Sequence, residues 1–113
     1  MIIEIKNARI TSTTLGPEDH GIMTANLNLD YGGSMQGFGG YSLDVYDDKL
    51  KKRVPHIALA QFITRVMEVV GVEKWEDLKG KVLRVKGEHG NIHAIGHYLE
   101  DKWFNPAEEL RDD

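Results

Sequence analysis

The sequence predicts an α+β domain, an antiparallel β-sheet with one main α-helix packed on a face and a short C-terminal helix. Three observations carry this. From Met23 to Tyr31 apolar and polar residues alternate, the period of a half-buried strand. From Leu59 to Val70 the apolar residues recur at helical spacing instead. Breaker residues gather in short clusters, with no linker, internal repeat or low-complexity stretch, so the 113 residues read as one domain spanning 1–113.

Taken in order, Ile3, Ile5 and Ile10 with the run Thr11-Ser12-Thr13-Thr14 predict a long first strand, broken by a bulge near Asn7-Ala8. The cluster Gly16-Pro17-Glu18-Asp19-His20-Gly21 reads as a turn. In the second strand Met23, Ala25, Leu27, Leu29 and Tyr31 share one face, and Thr24, Asn26, Asn28 and Asp30 the other. The two strands are expected to pair antiparallel. After a glycine-rich run, Tyr41, Leu43 and Val45 alternate with Ser42, Asp44 and Tyr46 as a third strand.

The segment from Asp47 to Arg53 reads as a charged, solvated connector. Pro55 suits the first turn of a helix. Leu59, Phe62, Ile63, Val66, Met67 and Val70 then supply its apolar face, and Gly71 its C-terminal cap. The helix is therefore expected from about Pro55 to Val70. Trp75 and Leu78 predict a short helical turn ending at Gly80. Val82–Val85 and Ile92–Leu99 read as a hairpin around Gly87-Glu88-His89-Gly90. Asn105, Pro106 and the acids after them carry the N-cap and first turn of the final helix.

Composition excludes several classes. Fourteen basic against 18 acidic side chains give a net charge of −4, which argues against a protein that coats DNA or RNA through phosphate contacts. With no cysteine there are no disulfides, no thiol catalysis and no cysteine zinc site. No apolar run reaches bilayer-spanning length, and the first residues lack the pattern of a signal peptide, so an intracellular protein without a membrane partner is expected.

Five of the 12 glycines fall between Gly32 and Gly40. Either the backbone turns sharply there or something approaches it closely. The run is neither a nucleotide P-loop nor a dinucleotide fingerprint. As turn grammar it reads first as a wide hairpin connection with a bulge. Against that stand Met35, Gln36, Phe38 and Tyr41, which offer an apolar contact, an amide and two aromatic faces. Rings beside an accessible backbone suit a nucleobase, whose stacking is worth about 1–3 kcal/mol.

The histidines point to no metal site. His93 and His97 stand four apart in an expected strand, about 13 Å at about 3.3 Å per residue, too far to share one ion. His20 and His89 sit in separate turns, and satisfied or exposed imidazoles are the better reading. As a general base His93 lacks a nucleophile motif nearby. Of the five arginines, Arg9, Arg53, Arg65, Arg84 and Arg111, the strongest local case for an anion contact is Arg53. It precedes the expected helix start, where the helix dipole favours negative charge. Arg65 follows on the helix, on the face opposite Phe62-Val66-Met67 or at its edge, and Arg84 leaves the core side of its strand.

The chain resembles the Thoeris anti-defence family of phage proteins, in its first-described type. The likeness runs through Thr11-Ser12-Thr13-Thr14-Leu15-Gly16, Glu18-Asp19-His20-Gly21, Tyr31-Gly32-Gly33 and Gln36-Gly37-Phe38-Gly39-Gly40-Tyr41. It continues through Trp75-Glu76-Asp77-Leu78, Arg84-Val85, Ile95-Gly96-His97 and Lys102-Trp103-Phe104, and so spans most of the chain. The Gln-Gly-Phe-Gly-Gly-Tyr block is its most specific part.

The resemblance implies a sponge that binds cyclic ADP-ribose isomers made by bacterial TIR-domain enzymes and holds them intact in the cytoplasm of the infected host. It implies an α+β protomer in a homodimer with pockets near the protomer boundary, and for some relatives hexamers that also take cyclic oligonucleotides. It further implies a pocket aromatic on the late hairpin followed by an asparagine. Asn91 stands at the asparagine's place, and Lys81 or a neighbouring aliphatic at the aromatic's. No cofactor, metal or catalytic residue is implied.

Such a ligand carries adenine, two riboses and a doubly charged pyrophosphate. Its site needs an aromatic slot, amides or hydroxyls for the sugars, and arginine or a helix N-terminus for phosphate. Phe38, Gln36, Asn91 and Arg53 are the candidates for those roles, with Gly37, Gly39, Tyr41 and Arg65 beside them. Two alternatives stay open: a small phosphodiesterase or hydrolase, and a protein-binding inhibitor module, for which the scattered acids give little support.

Overall fold

A computed structural model of the chain describes residues 3–18, 20–88 and 90–110. Asp19, His89 and Arg111, named above, lie outside the described residues. The order of elements is β1 (Glu4–Glu18), β2 (Ile22–Asp30), β3 (Met35–Gly39), β4 (Asp44–Asp47), β5 (Lys52–Pro55), α1 (Ile57–Val70), a 3₁₀ turn (Trp75–Leu78), β6 (Val82–Glu88), β7 (Asn91–Gly96), β8 (Trp103–Phe104) and α2 (Pro106–Glu109). A six-stranded sheet runs β3-β2-β1-β6-β7-β8, and β4 and β5 form a two-stranded sheet of their own. Every pairing is antiparallel. The class is α+β, as the sequence predicts.

β2 has the two faces its alternation requires. Ala25, Leu27 and Leu29 are buried against Phe62, Val66, Val69 and Val70 of α1, with Ile10, Leu83, Val85, Ile95 and Phe104 completing the core. On the far face Asn28 donates to the Ser12 hydroxyl at 2.7 Å and Asn26 to Asn28 at 3.4 Å, so polar side chains satisfy one another on the uncovered side.

Several expectations need correction. β1 does not end at Gly16. It runs through Pro17, opposite Met23, to Glu18. There it pairs only with β2, since β6 pairs with Glu4–Arg9, and a free strand edge tolerates a residue without an N–H. The bulge lies at Thr11, not at Asn7-Ala8, whose pairing with Arg84 and Leu83 is regular. Thr11 is the extra residue, and its hydroxyl donates to the Asn28 carbonyl at 3.1 Å.

The glycine run divides into a turn closed by the Tyr31 N–H on the Ser34 carbonyl (3.0 Å) and the edge strand β3. Gly39 (φ +119°) and Gly40 (φ +77°) then bend the chain out of the sheet. The expected third strand is thereby split, because Tyr41–Leu43 only brushes β2 and the pairing begins at Asp44 with β5. The charged connector is correspondingly half strand: Asp47 Oδ1 accepts from the Lys49 and Leu50 N–H groups and turns Lys52–Pro55 back onto β4.

Pro55 ends β5 rather than opening the helix. The N-cap is His56, whose Nδ1 accepts from the Ala58 N–H at 3.0 Å, and Gly71 (φ +91°) closes the other end as expected. β7 stops at Gly96, not Leu99. The His97 imidazole accepts from the Leu99 and Glu100 N–H groups and caps a turn that returns the chain as β8, a strand the sequence did not announce.

Candidate functional site

β1 is longer than the strand beside it. β2 ends where Asp30 meets Arg9, so Glu4–Ala8 continue along β6 with no β2 neighbour on their other side. The turn after β2 and the first residues of β3 face this gap from one side, and the β6–β7 hairpin from the other. The result is a cleft of about 400 Å³ at the end of the sheet.

Its walls are chemically mixed. Tyr31 is half-buried against the core, and its hydroxyl donates to Gln36 Oε1 at 3.0 Å. The Gln36 amide N–H donates in turn to the Gly90 carbonyl, tying β3 to the β6–β7 hairpin. Lys6 Nζ stands 5.7 Å from the Tyr31 ring centroid and 3.4 Å from Glu4. Glu88 and Asn91 close the hairpin end as directly opposed residues. Gly87 forms part of the wall where no other residue fits, since a Cβ there would lie 2.2 Å from the Asn91 carbonyl oxygen.

A second bulge shapes this end. Lys86 pairs with Ala94 and Gly87 with Ile92, so His93 is the extra residue. Its Nε2 lies 3.4 Å from Glu88 Oε1. The cleft thus carries two carboxylates, Glu4 and Glu88, against the single ammonium of Lys6. Among the described residues no cluster of side chains could hold a metal ion.

Of the residues picked from sequence, the fold brings Gln36 and Asn91 together in this cleft. The others go elsewhere. Phe38 is a core residue, buried, with its ring 6.0 Å from Phe62 and 6.4 Å from Phe104, so no base can stack on it. Gly37 lies against the Asn26 amide on the opposite sheet face. Gly39 is required by packing, because a Cβ there would sit 2.4 Å from the Ala25 carbonyl oxygen. Tyr41 leans on Phe62 at 6.3 Å, and burial pushes its phenol pKa up.

The two candidate arginines are already engaged. Arg53 donates to Asp44 Oδ1 at 2.8 Å and to the Ser42 hydroxyl at 3.2 Å, so its charge is answered inside the chain. Burial alone would raise the Asp44 carboxyl, but the Met23 N–H, the Arg53 guanidinium and Ser42 outweigh it and hold the pKa below the usual carboxylate value. Arg65 donates to Glu109 and the Trp103 carbonyl and lies over the Phe104 ring. It lines a separate groove between α1 and α2, about 450 Å³, with Ile57 and Leu110.

Sequence reasoning missed Tyr31, Lys6, Glu4 and Glu88. A signal for Tyr31 existed: it shares a face with Leu27 and Leu29 yet stands where the glycines begin, beyond the reach of the helix. The acids had no signal of their own. Comparison of this chain with protein-family models, with curated proteins and with solved structures finds no match in any of the three.

Proposed function

We propose that this protein is a non-catalytic binder that captures a small cyclic nucleotide signal in the cleft beside Tyr31, and that its ligands are cyclic ADP-ribose isomers. One observation carries the reading. Gln36 and Asn91, picked from sequence as ligand contacts, line the same cleft, and an aromatic ring stands with them. The roles are redistributed from the sequence expectation. Tyr31 takes the stacking role assigned to Phe38, and Lys6, whose pair with Glu4 is solvent-exposed and so weakly held, replaces Arg53 and Arg65 as the cation available to phosphate. The Asn91 amide makes no hydrogen bond to another described residue and is free to meet a sugar or base edge.

The resemblance to the anti-defence sponges supplies the class of ligand, the sequestration without breakdown, and the setting in an infected bacterial host. It also supplies the homodimer, with hexamers as the larger assembly. The physical case for a dimer is affinity. A sponge must hold its ligand at signalling concentrations, and a nanomolar Kd is about −12 kcal/mol. One protomer's open cleft is a poor source of that much, whereas a two-fold assembly would wall off two equivalent sites.

A hydrolase is the second reading, favoured by Glu88, which lines the cleft and lies 3.4 Å from the His93 imidazole. One experiment separates the two. The protein is mixed with a cyclic ADP-ribose isomer, then heat-denatured, and the released ligand is weighed by mass spectrometry. The capture reading expects an unchanged mass and one-to-one recovery; a linear or cleaved product makes the protein an enzyme.

A further inference from the structure

We propose that Glu88 and Asn91 read a sugar cis-diol, so that the cleft takes ribosyl ligands in preference to deoxyribosyl ones. The inference rests on the capture reading above and adds the part of the ligand that meets the hairpin end.

Charge is the first argument. Lys6 is paired with Glu4, and among the described residues Glu88 has no lysine or arginine within ion-pair distance, only the His93 imidazole at 3.4 Å. A phosphate placed there would be repelled, whereas a hydroxyl donates into a carboxylate, and hydrogen bonds to an ionised acceptor are the stronger kind.

Geometry is the second. Glu88 and Asn91 are directly opposed across the two strands, where side chains start about 5 Å apart. A carboxylate acceptor thus stands beside an amide that both donates and accepts, the complement of two adjacent hydroxyls. The third argument is orientation. His93, thrown out by the bulge, stands beside one Glu88 oxygen, and no described residue engages the other. Bulges commonly re-aim side chains next to binding sites.

The test is calorimetry with cyclic ADP-ribose, its 2′-deoxy analogues in either ribose, and free D-ribose. The proteins are the unmodified chain, Glu88→Gln and Glu88→Ala, each checked for an unchanged melting curve. The unmodified chain should bind cyclic ADP-ribose about tenfold or more tighter than one of the deoxy analogues. Glu88→Gln and Glu88→Ala should bring that ratio close to one, a ligand-dependent change that loss of packing would not produce. A ratio that survives both substitutions, or that is absent from the outset, overturns the diol assignment alone. No heat with cyclic ADP-ribose or its analogues overturns the capture reading and this inference with it. Free D-ribose binding as tightly as cyclic ADP-ribose keeps the diol site and overturns the nucleotide reading.

Discussion

The Gln36 side chain donates to the backbone carbonyl of Gly90, and that one bond joins the edge strand β3 to a hairpin on the far side of β1. The same amide accepts from the Tyr31 hydroxyl at 3.0 Å, so a single side chain braces both walls of the cleft. Gln36→Ala removes both bonds at a partly exposed site and should cost about 1 kcal/mol. Urea unfolding checks this as a lower midpoint at constant slope. Amide hydrogen exchange should quicken in the 87–92 hairpin; unchanged protection there contradicts the bracing role.

Phe38 and Tyr31 should separate stability from binding. Phe38→Ala empties a buried ring site and should cost about 3–5 kcal/mol, read from the unfolding midpoint. Tyr31→Leu keeps apolar bulk against the core but removes the stacking face. It should leave the fold intact and weaken cyclic ADP-ribose about tenfold or more by calorimetry.

These two residues also show what was legible in the sequence. Strand alternation puts Tyr31, Gln36 and Phe38 on one sheet face, and the periodicity of β2 and α1 is unambiguous. What the sequence does not reveal is where the helix stops covering that face. Phe38, opposite Leu27, lies under α1, whereas Gln36, two residues earlier, reaches past the covered core to the open end. Arg53 is placed away from the cleft for a different reason. Its partner Asp44 lies on β4, and the β4–β5 hairpin depends on pairing that a charged, breaker-free segment does not advertise. The convergence of Gln36 and Asn91 came from the resemblance and from the glycine run, not from periodicity.

Gly96 has a cost of substitution set by Trp103. A Cβ at Gly96 would lie 2.5 Å from the indole, which crosses the strand here to meet Arg84 and Lys86. Gly96→Ala must lift the ring and should cost about 1–3 kcal/mol. In a Trp75→Phe background, where Trp103 is the sole emitter, a red-shifted fluorescence maximum would report the displaced ring; an unshifted maximum contradicts the contact.

Asp44 should govern acid stability. Its pKa is depressed in the folded chain, so its contribution is complete above the unfolded value of about 3.9 and is lost as pH falls through the lower folded value. The Asp44 side chain is 8% exposed and that of Arg53 29%, so solvent screens the pair only in part. Asp44→Asn should therefore lose about 1–3 kcal/mol near pH 7, with the gap to the parent protein closing as pH falls through the depressed folded value. A gap that stays constant with pH would mean that packing, not charge, is what the substitution removed.

Titration of the unmodified protein with a purified cyclic ADP-ribose isomer, with recovery of the ligand after heat denaturation, bears on the central claim most directly. Saturable heat at submicromolar Kd and a ligand of unaltered mass are the expected result. No heat, or a ligand returned as a different molecule, would contradict the account.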